Sequence, residues 1–387
     1  MRIAKLEVFP VKIRKEHVYL GESAGLAGAG DYYIRPEYRC AYSKNMETLY
    51  VKLTTESGIV GWGEALAPVL PDVAGRIITE LFAPVLLGAD VRDRRVLTDR
   101  LYGLMRDRGY YAGFFVDAIA AIDCALWDAL GRFYDAPVWR LLGGAYRKKI
   151  RAYVSGLPKP KLEDKLALAR DWKAKGFSAI KLQIGYGLNE DIRIMEALRN
   201  ALGDDFTLML DAHWNYTLPD AVKLSRAMER LGVAFLECPL DPENLDGYAE
   251  LARTVDIPIA LGEADRTHWQ YAEILKKNAA DILQPDVGRT GITELMRISE
   301  LAEVFGKPVA PHLSVGQGGC IAATLACDAA IGNGYGLQEF QPSILPVANE
   351  LLKTPIVCEN GYFTVSEAPG LGIDIDEEKV RFYAREK

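Results

Sequence analysis

The sequence predicts an α/β fold, a closed (β/α) barrel that follows an α+β segment and precedes a tail. Three observations carry this reading. From Ile150 onward, short apolar strands alternate with amphipathic helices. Alternation of this kind implies a parallel sheet with right-handed crossovers. Eight such strands, at 152–154, 179–182, 207–210, 234–236, 259–261, 282–283, 309–310 and 336–338, fit a closed barrel better than an open sheet. Finally, an ionisable residue follows each strand from the second onward at near-constant spacing.

The elements follow in chain order. Residues 1–8 read as a strand. Residues 21–42 are Gly-rich and aromatic, without a periodic pattern, as in a lid or a connection. Residues 47–55 alternate polar and apolar, Glu56-Ser57-Gly58 turns, and 59–64 return as the hairpin partner. Residues 71–134 carry helical spacings such as Val116, Ile119, Ala120, Ile122, Ala125 and Leu126. Helices at 216–231 and 292–305 alternate with the barrel strands. The segment 351–387 is too long for a last helix and holds a strand at 361–365.

The strand-end residues are Lys181, Asp211, Glu237, Glu263, Asp286, His312 and Glu339, separated by 30, 26, 26, 23, 26 and 27 residues. One βα unit takes about that length, so all seven converge on the C-terminal mouth, where such barrels place their chemistry. Any one of these acids alone reads as a helix cap or loop residue. Seven in register do not. Asp211, Glu237 and Glu263 are carboxylates on adjacent strands that repel unless a cation neutralises them. Oxygen-only ligation points to Mg²⁺, with Mn²⁺ as substitute. Asp286 beside His312 orients the imidazole as a general base, and Lys181 lies opposite. A metal between a lysine and a His/Asp pair suits removal of a proton next to a carboxylate.

These motifs, Lys181-Leu182-Gln183, Asp211-Ala212-His213, Glu237-Cys238-Pro239, Gly262-Glu263, Gln284-Pro285-Asp286, Pro311-His312 and Gln338-Glu339, resemble the mandelate racemase subgroup of the enolase superfamily. The resemblance implies a modified TIM barrel at 135–350. It also implies an α+β capping domain built from 1–134 and the returning segment 351–387, with the 21–42 loop as lid. It implies catalytic roles for His312, Asp286, Lys181 and Glu339, with Asp211, Glu237 and Glu263 as metal ligands. Three departures steer the function. Gln183 stands where the family often has a second lysine base, which argues against racemisation. His213 stands in place of the usual Asn, with Asn215 two residues on. Cys238 replaces a glutamate. In some sugar-acid dehydratases of the superfamily a His at the place of His213 is the general acid. The lysine that marks epimerase and muconate branches is here Asp286.

One base, His312, and one acid, His213, suit β-elimination of water from an acid sugar. Gln183, Asn215, Trp214, Tyr33 and Arg35, with Tyr32 and Arg39, are the expected substrate wall. The runner-up is a lactone cycloisomerase, and behind it stands a catalytically dead barrel used for binding. The composition fits a globular chain, with 49% hydrophobic and 26% charged residues. At net charge -7, with no basic run longer than Arg147-Lys148-Lys149, no nucleic-acid partner is expected. The N-terminus shows no signal-peptide pattern, and the longest apolar runs are too short for a membrane span. Six scattered cysteines without a CxxC pair fit a reduced, cytoplasmic setting. The family resemblance implies a homo-oligomer, a dimer or an octamer.

Overall fold

The computed structural model describes residues 1–14, 30–35, 38 and 40–385. Of the expected lid, residues 21–29, 36, 37 and 39 lie outside the described residues, as does His17. The described part is a two-stranded ribbon, Tyr32–Arg35 against Cys40–Ser43.

Asn45–Thr55 is the centre of a three-stranded antiparallel sheet, between Ile3–Arg14 and Val60–Ala65. This sheet packs on helix Phe114–Phe133, which is buried from Phe115 to Gly131. Two glycines allow the approach. A Cβ on Gly63 would lie 2.0 Å from the Ala121 carbonyl oxygen, and one on Gly61 2.2 Å from that of Ala125. Gly63→Ala is therefore expected to cost about 1–3 kcal/mol, the usual penalty for overpacking. Denaturant unfolding checks this, and an unchanged midpoint would show that the sheet and helix can part freely. Three buried acids tie the same helix to its surroundings. Asp117 binds Arg266, Asp123 accepts from Thr293, and Asp128 accepts from the amides of Trp62 and Leu371.

The barrel staves are Lys149–Ser155, Ala179–Gln183, Thr207–Asp211, Leu236–Glu237, Ile259–Leu261 and Ile282–Leu283, with Gln338–Phe340 closing parallel to the first. The strand expected at 309–310 is reduced to bridges at Val309 and His312. The others lie within three residues of expectation. Tyr153, Ala179, Met209, Phe235, Ala260, Ile282 and Ala310 form one apolar layer inside. Strand side chains alternate, so the residue two further on faces the same interior one level higher. Those residues include Ser155, Lys181, Asp211, Glu237, Gln284 and His312. A polar floor is thus stacked on an apolar one. Glu263 falls one residue out of step, after Gly262 at φ 130°.

The tail does not return directly to the cap. The strands Cys358–Glu359 and Tyr362–Thr364 form a hairpin that adds antiparallel to Lys149–Ser155. Only then does helix Glu377–Tyr383 reach the antiparallel sheet, through Arg381 to Glu7 at 2.7 Å and Glu377 to Lys52 at 2.6 Å. Among the described residues no helix is long and apolar enough to cross a membrane.

Candidate active site

Five of the seven strand-end residues, Lys181, Asp211, Glu263, His312 and Glu339, line one cavity of about 290 Å³ with Gln183, His213, Trp214 and ribbon residues Cys40 to Ser43, while Glu237 and Asp286 sit behind it, bonded to Lys181 and His312. A larger cavity of about 560 Å³ lies at the opposite end of the barrel, under the tail, against Lys149 and Tyr362. The strand-end groups are absent from its lining, so the smaller cavity is the candidate active site.

At its floor Lys181 is almost fully buried. Its Nζ donates to both Glu237 oxygens at 2.8 and 2.9 Å and lies 3.3 Å from Glu339. Burial alone would lower its pKa, but Glu237 and Glu339 raise it well above the ordinary value. Gln284 donates to Glu237 at 2.6 Å. Burial, assisted by the neighbouring carboxylates and opposed by Lys181, pushes the Glu237 carboxyl up to about 7. Glu339 also accepts from the Leu313 amide at 2.9 Å.

One level up, the bridge between Asp286 and His312 sets the two side by side. Asp286 caps the turn Val287–Thr290 through the Gly288 amide at 2.8 Å, and its other oxygen lies 2.7 Å from His312 Nδ1. His312 Nε2 meets Glu263 at 2.6 Å and lies 3.9 Å from Glu339. Burial disfavours the imidazolium, yet Glu263, Glu339 and Asp286 outweigh it and raise the His312 pKa well above the ordinary value. For Glu263 burial acts upward, and the charged His312 outweighs it, holding the carboxyl below the usual range.

Several expected positions are corrected. Asp211 stands opposite Glu237 in strand register, and its oxygens face His213. Among the described residues the group with ligand atoms within 4.8 Å is Glu237, Glu263 and His312. Asp211 instead accepts from the His213 amide at 3.0 Å and meets its Nδ1 at 3.2 Å. The physical reason is that each buried carboxylate pairs with its nearest donor. His213 does not continue an extended strand. The strand ends at Asp211, and His213 and Trp214 take left-handed backbone at φ 51° and 57°. This strained turn still aims the imidazole into the cavity, where Nε2 lies 3.3 Å from the Tyr42 hydroxyl and the ring packs on Tyr38. Tyr33 and Arg35 are buried in the ribbon and do not line the cavity; Tyr42 and Ser43 of the opposite strand do. Asn215 also lies off the cavity, its amide beside Gly185. Gln183 lines the cavity and donates to Ser155 at 3.0 Å.

Sequence reading missed Gln284, Gln341, Tyr42 and Arg289. Gln284 and Gln341 were legible in principle, since each stands two residues from a strand-end acid on its own strand. His268 faces Glu294 rather than the cavity.

Mg²⁺ fits this donor set. Five carboxylates face three basic groups: Glu237 and Glu339 meet Lys181, Glu263 and Asp286 meet His312, and Asp211 meets His213. The excess negative charge is enclosed and oxygen-rich, the setting a hard divalent cation requires.

A barrel with a separate antiparallel cap, acids on successive strand ends and a His/Asp pair defines a proton-abstracting barrel enzyme. The chain belongs to the mandelate racemase/muconate lactonizing enzyme family of the enolase superfamily, matching its N-terminal domain over residues 40–143 and the enolase C-terminal domain-like family over 164–379. It is therefore an enzyme. It is 35% identical over 340 residues to the D-galactarolactone cycloisomerase of Agrobacterium fabrum, covering 85% of this chain and 89% of that one. It is also 35% identical over 336 residues to the arabinonate dehydratase of Saccharolobus solfataricus, covering 85% and 88%. A solved enolase superfamily member from Agrobacterium tumefaciens superposes with TM-score 0.94 at 34% identity, covering 98% of each chain. A family protein from Paracoccus denitrificans, solved in complex with magnesium, superposes with TM-score 0.83 at 27% identity, covering 98% of this chain and 97% of that one.

Proposed function

We propose that the enzyme is a Mg²⁺-dependent acid-sugar dehydratase that converts a 2,3-dihydroxy acid to a 2-keto-3-deoxy acid. The observation that carries this is the Asp286–His312 pair at 2.7 Å, set beside a cluster of carboxylates within one cavity. Asp211, Glu237 and Glu263 would hold the metal, which when bound stabilises negative charge on the substrate carboxylate. Asp286 fixes the imidazole through Nδ1, so Nε2 is the atom that takes the α-proton. Glu263 occupies Nε2 in the structure, and with Glu263 serving as a ligand Nε2 is left for substrate. The β-hydroxyl then leaves with a proton from His213, and the resulting enol becomes the ketone. The relatives named as acid-sugar dehydratases support the substrate class. Incubation with Mg²⁺ and a library of acid sugars tests the reading, with mass lowered by one water and a 2-keto product as the expected result.

His213 decides between two eliminations. Both its nitrogens are engaged, by Asp211 and by Tyr42. An acid so held favours a second reading, cycloisomerisation of a lactone, in which the leaving carboxylate needs no proton. If His213 is the general acid, His213→Asn should lose dehydration by about 10²–10⁴ and retain α-proton exchange in D₂O. Loss of both together would make it a positioning group. Loss of neither, with product of unchanged mass from a lactone, would establish the cycloisomerase.

A further inference from the structure

One cation in the cavity wall has no task in the elimination. Arg289 lies on the turn Val287–Thr290, three residues after the Asp286 that orients His312. It lines the cavity with Cys40, Tyr42, Glu263 and His312. Its Nε is shielded from solvent and, among the described residues, donates to nothing. The two acids closest in charge to it, Asp117 and Asp265, form no ion pair with it among the described residues; Asp117 is bound at both oxygens by Arg266, at 3.0 and 3.3 Å. A shielded Nε–H left idle is costly, and the planar guanidinium fork matches a carboxylate.

Lys181 and Arg289 line the same cavity from different elements. Lys181 is at the floor, saturated by Glu237 and Glu339. After the sixth strand the chain runs from Gln284, bound to Glu237, through Asp286, bound to His312, to Arg289 on the following turn, which lines the cavity with Cys40 of the ribbon. A substrate whose reacting carboxylate lies among the floor acids reaches Arg289 with its other end.

We propose that Arg289 binds a second carboxylate at the far end of the substrate, so that the enzyme takes an aldaric acid, or the lactone of one, in preference to the matching aldonic acid. This rests on the elimination reading and narrows it. The second carboxylate is present from the start in the open diacid. In the lactone it is generated: His312 takes the α-proton, the ring C–O bond breaks, and the electron pair leaves with the carboxylate.

The test compares the Mg²⁺-loaded wild type with Arg289→Gln and Arg289→Lys on an aldarate, its lactone and the aldonate of the same configuration. Arg289→Gln should lose about 10–100-fold in kcat/KM on the diacid or its lactone, the range of one charge-assisted contact. Exchange of the aldonate α-proton should change by less than about threefold. Arg289→Lys, which retains the charge without the fork, should fall between and serves if the Gln variant misfolds. Which of the first two substrates reacts identifies the source of the carboxylate. Equal loss on all three substrates would overturn the proposal and make Arg289 a support for Asp286. A separate measurement is independent of turnover. Adipate, an unreactive diacid, should bind the wild type about tenfold more tightly than 6-hydroxyhexanoate, and Arg289→Gln should erase that difference. Equal binding of the two by the wild type would also overturn it. Failure of the elimination reading shows itself differently, as a wild type that exchanges no α-proton in any acid sugar.

Discussion

His312→Asn is expected to abolish turnover and α-proton exchange together. Asn preserves a polar side chain but cannot accept the proton, and a positioned base contributes about 10²–10⁴ in rate. The alternatives are poorly placed. Lys181 Nζ is occupied at the floor, donating to both Glu237 oxygens and lying 3.3 Å from Glu339. Gln183 cannot take a proton. Asp286→Asn should lower both activities less, since the imidazole survives and loses only its anchor at Nδ1. Proton NMR in D₂O follows the exchange directly. Exchange that persists in His312→Asn would move the base role to His213, the other imidazole at the cavity.

Removal of divalent metal is the second large effect expected. After exhaustive EDTA treatment turnover should fall to background, return with Mg²⁺ and return in part with Mn²⁺. Full activity after chelation would sink the metal reading. The choice of ligand variant matters. Glu237→Gln would leave the buried Lys181 with only Glu339, and breaking such a pair costs about 3–5 kcal/mol, so lost activity would be mixed with lost stability. Glu263→Gln leaves the Lys181 pair intact and keeps an oxygen near His312 Nε2. It should therefore lose metal-dependent activity while its thermal unfolding stays close to that of the wild type.

The barrel was legible because its signal is repeated. An apolar strand, an ionisable end and a helix recur every 23 to 30 residues, and a repeated pattern survives the ambiguity of any single strand. The same repetition exposed Lys181, His312, Asp286 and the carboxylates. The seventh strand, reduced to bridges at Val309 and His312, shows how little regular ladder a stave needs when its neighbours hold it.

By itself, then, the sequence determined the order of elements and the chemistry at each strand end, because both follow from local periodicity and from the residue types two apart on a strand. Tertiary structure alone decided which acid faces which donor. Glu237 went to Lys181, Glu263 to His312 and Asp211 to His213, outcomes of competition among buried charges that no spacing encodes. It also decided which ribbon strand faces the cavity, bringing in Tyr42 and Ser43 and burying Tyr33 and Arg35. The ribbon lies far from the barrel in sequence, and its register there depends on packing across the two parts of the chain. His213 reached the cavity through a left-handed turn rather than through strand alternation. Arg289 became meaningful only when its shielded Nε was seen to donate to nothing among the described residues, which is a property of the folded surroundings and not of the residue.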